Sequence, residues 1–112
     1  DMNAIASHIL VPHDHPSLAG HFPGHPIVPG EVLLDAVLET IRGAHDRTLR
    51  LVSILSAKFL RAVEPGMRID LQITFAEDAP GRWQARFVGR HAGAPVLEGR
   101  ILLARIADGE GP

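Results

Sequence analysis

The chain has 112 residues, 46% of them hydrophobic, and its 13 acidic and 11 basic side chains leave a net charge of −2. That length fits one domain, residues 1–112, with a core of its own, and it leaves apolar surface that association would help to cover. No basic excess, four Phe, one Trp and no Tyr argue against nucleic acid as a partner, and the absence of Cys removes disulfides, thiolate metal sites and cysteine nucleophiles. The longest apolar runs, such as "ILLA" and "VLLDAVL", fall far short of the ~20 residues of a membrane span, and nothing at the N-terminus joins a basic to an apolar region. The expectation is a soluble, unexported, cytoplasmic protein with no membrane association.

In chain order, "ASHILVPH" reads as a first strand ended by Pro12. Residues 13–30 form a loop rich in Pro, Gly and His, long enough to point to function, because structureless loops beyond ~12–15 residues are uncommon in compact domains. A helix follows from about Glu31 to Arg42, with Gly43 placed to end it. After it, "TLRLVSILSAKFLRAV", "MRIDLQITFAE", "RWQARFVGRHA" and "PVLEGRILLARIA" are extended stretches separated by the turn signals "EPG", "DAPG" and "AGAP". Alternation is clearest where Ile69, Leu71, Ile73 and Phe75 share one face. One helix with about five antiparallel strands makes an α+β domain.

The helix carries the most informative pattern. At 100° per residue, Glu31, Asp35, Glu39 and Arg42 fall within about 80°, while Val32, Leu33, Leu34, Ala36, Val37, Leu38 and Ile41 occupy nearly all the rest. This is a buried helix with one polar stripe, which a Glu39–Arg42 pair could hold as a merely solvated edge. The loop ahead of it points elsewhere. Pro29-Gly30 delivers free backbone N–H groups and the positive end of the helix dipole at a position with no side chain, where a carbonyl could approach closely. A donor array, a histidine and a carboxylate one turn further on are the parts that enolate chemistry needs.

The stretch "GHFPGHPIVPGEVLLDA" resembles the active-site motif of the β-hydroxyacyl-acyl-carrier-protein dehydratases, H-F-P-x-x-P-x-x-P-G followed by a helix with Asp or Glu. His21 matches the motif's histidine and Asp35 its acid. "KFLRAVEPGMRIDLQITF" and "GAPVLEGRILLARI" are similar to later strands of the family, so the likeness covers roughly residues 8–106. The resemblance implies a single hot-dog domain, an antiparallel sheet wrapped around one central helix. It also implies dimers in which the histidine and the acid of one site come from different subunits. Aspartate at position 35, in place of glutamate, resembles the branch that also isomerises, and Glu31 and Glu39 add negative charge where the family has neutral residues. The wording "HPSLAGHFPGHPIVPG" also resembles the small dehydratases of aryl polyene pigment clusters.

Dehydration of a β-hydroxyacyl thioester divides into three tasks: taking an α-proton, holding the enolate-like oxygen and protonating the leaving hydroxyl. His21 is suited to the first. The Gly30 N–H is suited to the second, a contribution of roughly 3–4 kcal/mol if it acts like other oxyanion donors. Asp35 would do the third, or orient water to do it, provided that apolar surroundings and the like charge of Glu39 keep its proton on. Phe22 and Leu34 are the expected substrate contacts, although core packing is the ordinary role for helix leucines. Four histidines fall between His13 and His25 and invite a metal reading, but the prolines among them restrict convergence, so the others are read as solvated loop residues and neither metal nor cofactor is expected. The partner implied by the resemblance is an acyl carrier protein bearing a β-hydroxyacyl chain, docked on some of Arg42, Arg47, Lys58, Arg61 and Arg68. A homodimer, or a partner hot-dog subunit, would complete the assembly. Two alternatives stay open: a hot-dog acyl thioesterase, which would release a free acid, and a non-catalytic acyl-carrier-binding subunit.

Overall fold

The computed structural model describes residues 2–16 and 27–106. The elements are β1 (Met2–Leu10), α1 (Gly30–Ala44), β2 (Leu49–Phe59), β3 (Arg68–Ala79), β4 (Arg82–His91) and β5 (Ala94–Arg105). The strands form one sheet in the order β1-β3-β4-β5-β2, every neighbouring pair antiparallel. Two tight hairpins organise its centre. Pro80 and Gly81 link β3 to β4, with Gly81 at φ 75°, and Ala92 and Gly93 link β4 to β5 at φ 50° and 84°. Positive φ is what such turns demand, and at position 81 glycine meets it without a steric penalty.

The alternation read in β3 is real: Ile69, Leu71, Ile73 and Phe75 are all buried. Trp83, Ala85 and Phe87 of β4 and Leu97, Ile101 and Leu103 of β5 continue that buried face, and α1 lays Leu33, Val37 and Ile41 against it. Spacings of four along the helix keep those three side chains on one stripe, which is why a single helix can seal the inner face. The opposite face of the sheet is polar, for instance Gln72, Thr74, Gln84 and Arg86. This is the hot-dog arrangement that the resemblance implies.

Two expectations need correction. Gly43 does not end the helix but lies within its last turn; the cap is His45, whose N–H donates to the Ile41 carbonyl at 2.9 Å. Strand β1 starts at Met2, ahead of the expected position, because β3 offers it a full-length partner from Met2↔Ala76 to Leu10↔Arg68. Strand β2 shows no simple alternation. Register breaks between Leu51 and Ser53 and between Ile54 and Ser56 insert Val52 and Leu55 as extra residues. As an edge strand it leaves Leu51, Val52, Ile54, Leu55 and Phe59 exposed.

Candidate functional site

Helix α1 sets the site through its first turns. Pro29 is the N-cap, extended at φ −60° and ψ 145°, and supplies no side-chain cap. Its carbonyl receives the N–H of Val32 at 3.0 Å. Proline has no donor of its own, and among the described residues the N–H groups of Gly30 and Glu31 have no acceptor at this helix start. The preceding segment is anchored to the connection between β2 and β3 by Val28 N–H donating to the Val63 carbonyl at 2.7 Å. Gly30 lines a cavity of about 360 Å³ together with Ile27, Leu33, Phe59, Arg61 and Val63. Its missing side chain has a packing reason: a Cβ there would stand 2.6 Å from Cζ of Phe59. The room expected for an approaching carbonyl is, on that side, taken by an aromatic ring of the same chain.

Asp35 sits one turn further along and on another flank. Its side chain is exposed and lines a groove of about 310 Å³ with Ile9, Leu10, Val11, Pro12, His15, Val32 and Ala36. Gly30 and Leu33 face one side of the helix, whereas Val32, Asp35 and Ala36 face a direction turned by well over 90°. The two groups therefore open into different cavities. Within one protomer the helix-start donor and the carboxylate are not brought together.

The charge around Asp35 also differs from the expectation. Glu39, i+4 on the stripe, is bound by Arg47 and lies 3.8 Å from Arg42. The Arg47 hydrogen bond, aided by the charges of Arg47 and Arg42, holds the Glu39 carboxyl below its usual range. Its negative charge is thus directed to the C-terminal end of α1, away from Asp35. Asp46 anchors the next corner. Its Oδ1 accepts the Thr48 hydroxyl at 2.6 Å and the Thr48 N–H at 2.8 Å, and its Oδ2 accepts from Arg105 at 2.8 Å. The Thr48 hydroxyl, the Thr48 N–H and Arg105 together lower its pKa to about 2.

His21 and Phe22, with His25, lie outside the described residues. Leu34 is half-buried against the core, so packing accounts for it in this protomer. Among the loop histidines the sequence reading missed a distinction. His13 is exposed, its ring against Gly66, where a Cβ would lie 2.8 Å from Nε2. His15 is half-buried and shares the Asp35 groove. Only the Asp-His-Pro wording at 14–16 hints at that difference, and it does so weakly.

A five-stranded antiparallel sheet folded over one helix defines a hot-dog protein. The ApeI-like family, described as ApeI dehydratase, matches residues 1–100, and this chain belongs to it. Among curated relatives, the 3-hydroxyacyl-[acyl-carrier-protein] dehydratase FabZ of Anaeromyxobacter sp. (strain K) is 29% identical over 107 residues, spanning 87% of this chain and 68% of that protein. The FabZ of Myxococcus xanthus is 29% identical over 98 residues, spanning 80% of this chain and 64% of its own. The chain thus spans about two thirds of the length of the relatives it matches. In solved structures, the dehydratase heterocomplex ApeI:P from Xenorhabdus doucetiae contains a chain with a TM-score of 0.72 at 22% identity, covering 91% of this chain and 88% of that one, a likeness of fold. Among the described residues, no helix is long and apolar enough to cross a membrane.

Proposed function

We propose that this protein removes water from β-hydroxyacyl thioesters held on an acyl carrier protein, giving trans-2-enoyl thioesters, in a site completed by a second hot-dog subunit. His21 takes the α-proton, the Gly30 N–H holds the thioester oxygen, and the Asp35 carboxyl serves the departing hydroxyl. Phe22 flanks the acyl chain.

The observation that carries this reading is Asp35 itself. A carboxylate on the wall of a groove that is otherwise apolar apart from one histidine has, among the described residues, no hydrogen bond or ion pair comparable to those of Glu39 or Asp46. The separation of Gly30 from Asp35 on two flanks of α1 supports a composite site, because a donor and an acid that cannot meet within one protomer can meet across two. A surface for the second subunit is at hand. Edge strand β2 exposes Val52 at 56%, Ile54 at 47% and Phe59 at 46%, an unpaired apolar edge of the kind that soluble proteins cover.

The carrier-docking cations narrow in number. Arg42 and Arg47 are engaged by Glu39, and Arg68 pairs with Asp70 at 3.0 Å. Arg61 stands on the wall of the Gly30 cavity and Lys58 precedes Phe59, so these two are the positions for an acidic carrier whose acyl arm enters there.

The test is incubation with a panel of short and aryl β-hydroxyacyl carrier proteins, followed by intact mass. Loss of one water from the acyl chain is the expected result. Release of free acid would establish a thioesterase instead, and binding without turnover would establish a silent subunit.

A further inference from the structure

The outer face of the sheet, turned away from α1, sets two cations against each other. Arg86 of β4 and Arg100 of β5 are exposed and paired directly in register, and like charges directly opposite on one sheet face are destabilising. The same row continues on both sides, with Thr74 of β3 opposite Arg86 and Ser56 of β2 opposite Arg100. Directly opposed residues share a face, so two guanidinium groups flanked by two hydroxyls cross four neighbouring strands. Both arginines line two hollows, one of about 360 Å³ that includes Ser56, Lys58 and Glu98 and one of about 330 Å³ that includes Thr74, Asp78 and Gln84.

The fold leaves this pair uncompensated where it satisfies most of its other arginines. Arg42, Arg47, Arg50, Arg68, Arg90 and Arg105 each donate to a carboxylate, an amide or a backbone carbonyl. Among the described residues, Arg86 and Arg100 have no such acceptor and no ion pair. The acids nearby do not cancel them: Glu98 stands opposite Lys58 in register, and Asp78 lies at the irregularity that ends the β3–β4 pairing.

We propose that Arg86 and Arg100, with the Thr74 and Ser56 hydroxyls, form a site for a phosphate monoester on the outer face of the sheet. One dianion between the two guanidinium groups replaces their repulsion with charge-assisted hydrogen bonds on both sides. A carboxylate has two oxygens, which a single arginine fork can cover, whereas a phosphate monoester offers three terminal oxygens and so employs both forks and a hydroxyl. Inorganic phosphate shares that chemistry. Neither arginine lines the Gly30 cavity or the Asp35 groove, so the site stands or falls separately from the dehydratase reading.

The test is titration of the whole protein with inorganic phosphate, ethyl phosphate and acetate at constant ionic strength, read by calorimetry and by the arginine Nε–H NMR signals. Both phosphates should give saturable shifts at Arg86 and Arg100, with acetate bound at least about tenfold more weakly. Arg86→Gln and Arg100→Gln should each weaken phosphate binding about tenfold or more. Arg82→Gln is the control, since Arg82 is exposed on the same strand but faces Ala104, and it should bind phosphate as wild type does. Without phosphate, Arg86→Gln should melt no lower than wild type because a facing charge is gone; added phosphate should raise the Tm of wild type and leave that of the variant in place. Tighter binding of ethyl phosphate than of inorganic phosphate would support an organic ester as the occupant, and the reverse would support the free ion. Shifts that never saturate, acetate equal to phosphate, or an equal loss in Arg82→Gln would each overturn the site.

Discussion

The two flanks of α1 are built on opposite principles. On the Gly30 side the chain closes on itself: Phe59 fills the space beside the glycine, Val28 is hydrogen-bonded to Val63, and Leu33 goes into the core. On the Asp35 side the chain stays open, with an exposed carboxylate over a groove floored by the end of β1. Packing thus specifies the donor, whereas among the described residues the acid stands exposed. Under the proposed reading α1 serves two half-sites, one on each flank, and a second helix completes either.

The largest effects should come from the proposed reacting groups. His21→Ala and Asp35→Asn are each expected to cut turnover by about a hundredfold or more, with dimerisation and Tm nearly unchanged, measured by rate assay and thermal scan. His25→Ala shares the loop and residue type and should leave most activity in place; a loss equal to that of His21→Ala would break the assignment. Next in size is the edge. Ile54→Arg places a charge in the exposed apolar row of β2 and should yield monomers by light scattering, with activity falling in parallel.

Gly30→Ala probes the closed flank. A Cβ 2.6 Å from the Phe59 ring forces the ring aside, and overpacking of this kind costs about 1–3 kcal/mol. Denaturant unfolding should show the loss, and the added change Phe59→Leu should recover part of it. Charge reversal at Lys58 and Arg61 is expected to raise KM for carrier-bound substrate several-fold at low salt, while a short pantetheine thioester is processed as before.

The smallest effect concerns Asp46. Its folded pKa of about 2 lies below the unfolded value, so its stabilisation is fully present above the ordinary carboxylate range and is lost as pH falls through 2. Asp46→Asn should therefore lower Tm slightly at pH 7, with the difference shrinking as pH falls through 2. A constant offset across that range would show that Asp46 acts by packing and not by charge.

How much of this was legible beforehand follows from where periodicity governs. The polar stripe of α1 and the alternating face of β3 are consequences of helix and strand geometry, and both stand as read. Strand β2 resisted reading because Val52 and Leu55 are bulge residues, which no alternation rule marks, and because apolar side chains such as Val52 and Ile54 stand exposed on it. Gly43 carried a stop signal that His45 carries instead. Arg47 reached Glu39 across eight residues, outside the i,i+3 and i,i+4 pairs that helix spacing exposes. The contrast between His13 and His15 depends on how one turn folds over β1, and two identical residue types two positions apart give no composition signal to separate them.

The measurement that bears most directly on the composite site is subunit complementation. His21→Ala and Asp35→Asn proteins, each inactive alone, are unfolded together, refolded as an equal mixture and assayed for loss of water from a β-hydroxyacyl carrier protein. If histidine and acid come from different protomers of a two-fold dimer, half the dimers are mixed and each holds one intact site, so about a quarter of wild-type activity should return. Mixed dimers that form, by native mass spectrometry, yet remain as inactive as either parent would contradict a site shared between two copies of this chain.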